Sequence, residues 1–262
     1  MILAVDVGNS NTTVGLFNGT GELLFRALLE TSRSKTRDQC AIELLGVFQL
    51  YGADACTVDG AILSSVVPPL TAIFTDAIAR LTGIPPMVVG PGIRTGLNIK
   101  AEIHNQLGSD IVASSVAAIA KYPSPIVMVD MGTATSLSLI VGSVYEGCII
   151  MPGLALALDA LSERAAAPPP ISIETASPVG LMGHTTEEAM RSGVLYGHAS
   201  MVDGMLERIE ESIGQSVTTV ATGGNAPRIL RYCKRPIQYD ADLIMTGLYL
   251  LYQKNAKKYR KA

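Results

Sequence analysis

The chain opens with an apolar run, Ile2 to Val5, that halts at Asp6 and resumes as an alternating stretch from Thr12 to Phe17. Apolar stretches of this length, parted by small polar residues, predict two strands joined by a turn. A glycine-containing turn at Asn18 to Gly21 and a third apolar stretch, Leu23 to Leu29, complete a predicted antiparallel meander. Helical spacing takes over from Thr36 to Tyr51, with Ile42, Leu45 and Leu50 expected among its apolar contacts. A strand at Ala61 to Val66, a helix opened by Pro68 and Pro69, a short strand at Met87 to Val89 and a helix from Asn105 to Tyr122 follow in alternation.

After Pro123 and Pro125 the pattern restarts. Strands are predicted at Ile126 to Val129, Thr135 to Val141 and Val144 to Ile150, with helices near Leu154 to Ala165 and Glu187 to Ser212. A strand at Val217 to Ala221, a short helix after Asn225 and a long terminal helix from Asp242 complete the series. Individual residues repeat as well: Asp6 maps onto Asp130, Gly8 onto Gly132 and Asn9 onto Thr133, all at a spacing of 124 positions. Two meander-first halves predict an internal duplication and a pair of similar α/β lobes, 1–122 and 123–262.

Hydrophobic residues at 48% and charged ones at 16% exclude a disordered chain, and 262 residues suffice for two domains with separate cores. A formal net charge of −3 gives no broad field for nucleic acid or an anionic membrane, so neither partner is expected. Asp6 interrupts the leading apolar stretch, and Pro68, Pro69, Pro152 and Gly153 break the others. Neither a secretory signal nor a membrane span is expected, and the predicted location is cytoplasmic. Cys40, Cys56, Cys148 and Cys233 form no CxxC pair and read as buried thiols, while His104, His184 and His198 are too scattered for a metal set. Leu243, Leu248 and Leu251 read as core or dimer packing, and the basic end from Lys254 to Lys261 complements the helix dipole.

An Asp at the carboxyl end of a buried strand needs a hydrogen bond or a cation to offset its burial. Gly8 lets backbone approach a ligand, and exposed amides with Asn9, Ser10, Asn11 and Thr12 can donate to phosphate oxygens, as Thr133 and Thr135 can from the other half. A carboxylate beside such phosphates suits Mg²⁺, usually through water. The alternative for each Asp is a hairpin cap bonded to its own backbone. No GxxxxGK[ST] occurs, and the glycines open a strand where a Rossmann turn would open a helix. Gly223 and Gly224, in ATGGNAPRI, allow close approach to an adenine or ribose, or mark an ordinary turn.

The segments DVGNSN, GPGIRTGLNI from Gly90, LGSD at Leu107 to Asp110, VDMGTATS, GCIIMPGL, GHTTEEAMRSGVLYG and ATGGN occur in this order. Through them the chain resembles the type III pantothenate kinases over nearly its whole length. The resemblance implies an α/β fold of the acetate and sugar kinase, heat-shock chaperone ATPase and actin superfamily: two similar ribonuclease H-like lobes with mixed sheets and an ATP cleft between them. The implied activity is ATP-dependent phosphorylation of pantothenate to 4′-phosphopantothenate, the first step of coenzyme A biosynthesis. The implied assembly is a homodimer, for which the helices at 187–212 and 242–259 could supply a seam.

By position, the resemblance makes Asp6, Val7, Gly8, Asn9, Ser10, Asn11, Thr12 and Thr13 the first phosphate loop and Thr133 part of the second. It makes Asp130 the ligand of a monovalent cation, K⁺ or NH₄⁺, beside ATP with Mg²⁺, and Asp110 the catalytic base. Gly108, Ser109, Asp110, Ile111 and Thr186 become pantothenate contacts. Asp110 also suits a helix cap or first-turn acid. Two positions depart from the family pattern: Ile111 stands where many members have Arg, and Ala101 where many have Tyr. Arg94 could supply the missing charge or be a solvated surface residue. The rival expectations are a nucleotide-binding regulatory protein, of the transcription accessory kind, and a kinase for another small hydroxy acid or sugar.

Overall fold

The computed structural model describes residues 1–99, 107–164 and 179–259. The chain divides into two compact units, one of Met1–Lys121 with Asp242–Ala262 and one of Tyr122–Ala241. Strands β1 (Ile2–Val7), β2 (Asn11–Phe17) and β3 (Leu23–Glu30) are followed by helix α1 (Arg37–Leu50), a 3-10 turn at Ala55–Thr57, β4 (Gly60–Ser65) and α2 (Pro68–Thr82). Two-residue strands β5 (Met87–Val88) and β6 (Asn98–Ile99) precede α3 (Ser109–Lys121). Then come β7 (Ile126–Met131), β8 (Ala134–Val141), β9 (Val144–Pro152), α4 (Leu154–Arg164), α5 (Thr186–Ile213), β10 (Thr218–Thr222), α6 (Ala226–Leu230), β11 (Gln238–Tyr239) and α7 (Leu243–Tyr259).

In the first unit the strands run in the order β3-β2-β1-β4-β5, antiparallel within the meander and parallel from β1 to β4 and from β4 to β5. Side-chain alternation along β1 sorts its residues between two helical layers. Leu3, Val5 and Val7 join Leu44, Phe48, Leu70 and Phe74 of α1 and α2. Ile2 and Ala4 join Ala113 and Val116 of α3 and Met245, Leu248 and Leu251 of α7. Helix α1 begins at a capping box: the Thr36 hydroxyl accepts the Gln39 N–H, and Gln39 Oε1 accepts the Thr36 N–H at 2.8 Å. Its buried face is Cys40, Leu44, Val47 and Phe48, whereas Ile42, Leu45 and Leu50 are exposed at 69%, 43% and 79%. The expected apolar contacts of α1 are thus corrected. The buried face packs with Val5, Val7, Leu16, Leu70 and Phe74, and Phe48 meets Phe25 edge-on at 5.8 Å between ring centroids.

In the second unit the strands run β9-β8-β7-β10-β11, again antiparallel through the meander and parallel beyond it. This is the first unit's strand order repeated. Val127, Val129 and Met131 pack with Leu154 and Leu158 of α4, Val194, Leu195 and Val202 of α5, and Ile229 of α6. Helix α5 is capped by Thr185, whose hydroxyl accepts the Glu188 N–H at 3.2 Å.

Helix α7, expected with residues 123–262, belongs to the first unit, because Met245, Leu248, Leu251 and Tyr252 bury against β1, β4 and α3. Its leucine stripe is therefore core. Cys40 is buried and Cys233 half-buried, but Cys56 and Cys148 are exposed, so the expectation of four buried thiols holds for only part of the set. No helix among the described residues is long and apolar enough to cross a membrane.

Candidate active site

Strand β1 delivers Asp6 to its carboxyl end, 8% exposed, opposite Thr13 of β2 and Ser64 of β4. The turn that follows closes when the Gly8 N–H donates to the Asn11 carbonyl at 3.0 Å, leaving Asn9, Ser10 and Asn11 exposed. Behind this turn Thr12 is buried, its hydroxyl 2.8 Å from that of Thr31, and the Thr31 N–H donates to the Ser10 carbonyl at 3.0 Å. A polar turn is thereby held on a paired strand with Asn9, Ser10 and Asn11 exposed, an arrangement suited to an anion.

Strand β4 links this turn to a residue more than a hundred positions away. The hydroxyl of Ser64, Asp6's register partner, lies 2.9 Å from that of Ser109, and Ser109 Oγ accepts the Ser65 N–H at 3.1 Å. Those bonds fix the start of α3, and the next residue is Asp110. Its Oδ1 accepts the Ile111 N–H at 2.8 Å, so the first-turn role is real. Burial pushes the Asp110 carboxyl above the ordinary carboxylate range, only partly opposed by the backbone N–H bonds of Ile111 and of Asp110 itself. A Cβ at Gly108 would collide with Asp110 Oδ1, so the glycine makes room for the carboxylate.

In the second unit Asp130 occupies the matching place on β7, opposite Ser136 of β8 and Thr222 of β10. The Gly132 N–H donates to the Ala134 carbonyl at 3.0 Å, the same closure as in the first hairpin with one residue fewer. The spacing of 124 therefore holds from Asp6 to Asn9 and slips by one beyond, so that Thr12 corresponds to Thr135. Gly223, at φ +92°, presses on this turn: a Cβ there would lie 2.7 Å from Asp130 Oδ1 and 2.6 Å from the Met131 carbonyl oxygen. Asn225 donates its N–H to the Met131 carbonyl at 3.1 Å and its side-chain amide to the Gly132 carbonyl at 3.2 Å. A Cβ on Gly153 would run into the Thr133 carbonyl. The Thr135 hydroxyl is 2.8 Å from His198 Nε2, and burial lowers the pKa of that imidazole.

The fold thus gathers Asp6, the 8–13 turn, Ser109 and Asp110 in one unit, and Asp130, Thr133, Gly223 and Asn225 in the other. Thr186 stands exposed at the first position of α5, behind its cap Thr185. Arg94 has an exposed side chain on a clamped backbone: its N–H donates to Asn255 Oδ1, and Asn255 Nδ2 donates to its carbonyl, both at 2.9 Å. Ala101 and His104 lie outside the described residues. Sequence reading assigned no role to Ser64, Thr31, Asn225 or Gly153, although GCIIMPGL and ATGGN marked two of their surroundings.

No group of three or more His, Cys, Asp or Glu residues among the described ones could hold a metal by itself. Mg²⁺ takes one or two carboxylates and completes its shell with water and substrate phosphate, and Asp6 at the end of β1 offers one such carboxylate. Asp130 Oδ1 and the Met131 carbonyl oxygen both face Gly223 and are hard oxygen donors, the kind that takes a hard cation.

One strand order used twice, each copy led by an Asp and a glycine turn, defines the duplicated ribonuclease H-like α/β class of kinases and ATPases. Among solved structures, a Campylobacter jejuni protein proposed as a conserved Baf family transcriptional activator matches with a TM-score of 0.61 and 19% identity, over 97% of this chain and 99% of that one. The Clostridium difficile activator of 2-hydroxyisocaproyl-CoA dehydratase, solved with ADPNP, matches at 0.60 and 11% identity over 99% and 97%. These likenesses concern the fold. Residues 2–208 match the profile of the family described as type III pantothenate kinase. Curated type III pantothenate kinases of Exiguobacterium sp. and Geobacillus thermodenitrificans are 38% and 39% identical over 98% of this chain and 100% and 99% of their own lengths. The chain belongs to the type III pantothenate kinase family.

Proposed function

We infer that this chain transfers the γ-phosphoryl group of ATP to the primary hydroxyl of pantothenate, giving ADP and 4′-phosphopantothenate. Phosphoryl transfer asks a protein mainly for positioning and charge neutralisation, and the observation that carries the reading is the placement of Asp110. Its carboxylate is held at the start of α3 by a backbone N–H, and the residue before it, Ser109, is bonded to Ser64, the register partner of Asp6. As the hydroxyl oxygen bonds to phosphorus and the bridge to the β-phosphate breaks, Asp110 accepts the hydroxyl proton. Burial raises the proton affinity of that carboxylate and so strengthens it as a base.

Residues 6–13 and Thr133 hold the phosphates, while Gly108, Ser109, Ile111 and Thr186 contact pantothenate. With Ile111 neutral, the exposed Arg94 on its clamped backbone is the candidate partner for the pantothenate carboxylate. When bound, Mg²⁺, held by Asp6 through water, and K⁺ or NH₄⁺, held by Asp130, offset the charge of the phosphates. Both substrates are metabolites of the cytoplasm, the compartment assigned here, and the working assembly is a homodimer.

The test is pantothenate-dependent ADP release, measured with K⁺, NH₄⁺ or Na⁺ and against a panel of other hydroxy acids and sugars. Asp110→Asn is expected to lower kcat by roughly a hundredfold to ten-thousandfold with the KM for pantothenate largely kept. Wild-type turnover by that variant would remove Asp110 as the base. Nucleotide binding without pantothenate-dependent turnover under every cation would favour a regulatory protein.

A further inference from the structure

We propose that His198 is a positioning residue: its hydrogen bond to Thr135 locks the start of β8 to helix α5 and so fixes the β7–β8 turn relative to Thr186. The inference rests on the assignment of Thr133 to ATP and Thr186 to pantothenate.

Only Gly132 and Thr133 separate β7 from β8, so the ends of the two strands dictate where the Thr133 donors point. Thr135 lies two residues beyond Thr133 and is fully buried, paired with Met131 on one side and Met151 on the other. Threonine is stiff at χ1, so a bond that fixes its hydroxyl also fixes how this part of the strand sits. The partner, His198 Nε2 at 2.8 Å, is 5% exposed on the inward face of α5. A buried hydroxyl needs such a partner, and a directional bond sets register in a way that apolar packing does not.

The first unit carries the same device with another partner. Thr12 follows the residue whose carbonyl closes its turn, as Thr135 does, and its buried hydroxyl is 2.8 Å from Thr31 Oγ1. Thr31 belongs to the segment just after β3, so that bond is local to the meander and its exit. In the second unit the bond reaches a 28-residue helix. Thr186 opens that helix 12 residues before His198, about 18 Å along the axis at 1.5 Å per residue. One rigid element therefore joins the turn assigned to phosphate to the threonine assigned to the acceptor.

The test compares Thr135→Val and His198→Phe, which remove the bond at nearly constant volume, with Thr135→Ser and His198→Gln, which keep a polar partner. ATP affinity is measured by calorimetry, KM and kcat by ADP release, and folding by thermal melting. Thr135→Val and His198→Phe are each expected to weaken ATP binding roughly three- to tenfold. The double variant should be no weaker than the worse single one, and Ser or Gln should recover most of the loss. Should His198→Phe not fold, Thr135→Val and Thr135→Ser carry the comparison. Unchanged ATP affinity in Thr135→Val and His198→Phe, with only a lower melting temperature, would overturn the proposal, as would strict additivity. If the protein binds ATP but does not phosphorylate pantothenate, the proposed function fails, while these affinities still decide the role of His198.

Discussion

Asp110 carries opposite demands at one residue. Its carboxyl has a pKa raised by burial, against an unfolded value of about 3.9. Between the unfolded value and the raised folded one, the native state binds more protons than the unfolded state. Stability therefore falls as pH rises through that window and stays lower above it. Asp110→Asn is expected to melt at or above the wild-type temperature at pH 7 while losing turnover, which melting curves from pH 4 to 8 would check. The kcat/KM of the wild type should fall on acidification at a higher pH than an ordinary carboxylate would give. His198 has the reverse sign: its folded pKa is lowered, so the stability it contributes is present above about pH 6.5 and is lost as pH falls through the folded value. His198→Gln should flatten that part of the melting profile. Sequence pattern marked Asp6 and Asp130, because an acid two residues before a glycine at a strand end is an unusual local pattern, while Asp110 was marked through the family resemblance. It could not mark Ser64 against Ser109 or Thr135 against His198, since each pair joins residues tens of positions apart by hydrogen bonds that leave no periodic trace.

Most elements were legible because each is long enough to show a period. Strands β5, β6 and β11 span two residues each, too few for alternation to register; β6 and β11 went unrecognised. Helix α1 shows a second limit: it is apolar on more than one face, and packing against the sheet and α2 selects the face of Cys40, Leu44, Val47 and Phe48. Leu44→Ala, in that buried face, is expected to cost about 2–5 kcal/mol, and Leu50→Ala, 79% exposed, within about 0.5 kcal/mol, as denaturant titration would show. Helix α7 lies so close to α3 that a Cβ on Gly247 would run into the Ala113 carbonyl. Gly247→Val should therefore destabilise the first unit although valine is itself apolar.

At the scale of the molecule, the first unit is discontinuous and the second is not. The second also closes on itself: Tyr122 Oη donates to Asp240 Oδ2 at 2.8 Å, tying its two ends together, and burial with that carboxylate pushes the Tyr122 pKa up to about 12. A fragment of residues 122–241 is expected to fold by itself. A fragment of 1–121 is not, because without α7 it exposes Ile2, Ala4, Ile62 and Val116 to water. Circular dichroism and proteolysis of the two fragments would test this, with restoration of 1–121 by a linked 242–262 as the control. Val194, Leu195, Val202 and Leu206 of α5 and Met245, Leu248 and Leu251 of α7 are buried within the chain's own two cores.

Local pattern by itself determined the meanders, the duplication, the acidic turns and the order of motifs, because each is written in neighbouring residues or in a constant spacing. Which face of α1 is buried, which unit holds α7, and which distant hydroxyl or glycine supports each acid were decided only when the chain folded. Those outcomes depend on close packing and on hydrogen-bond partners that meet in space, where separation along the chain carries no information.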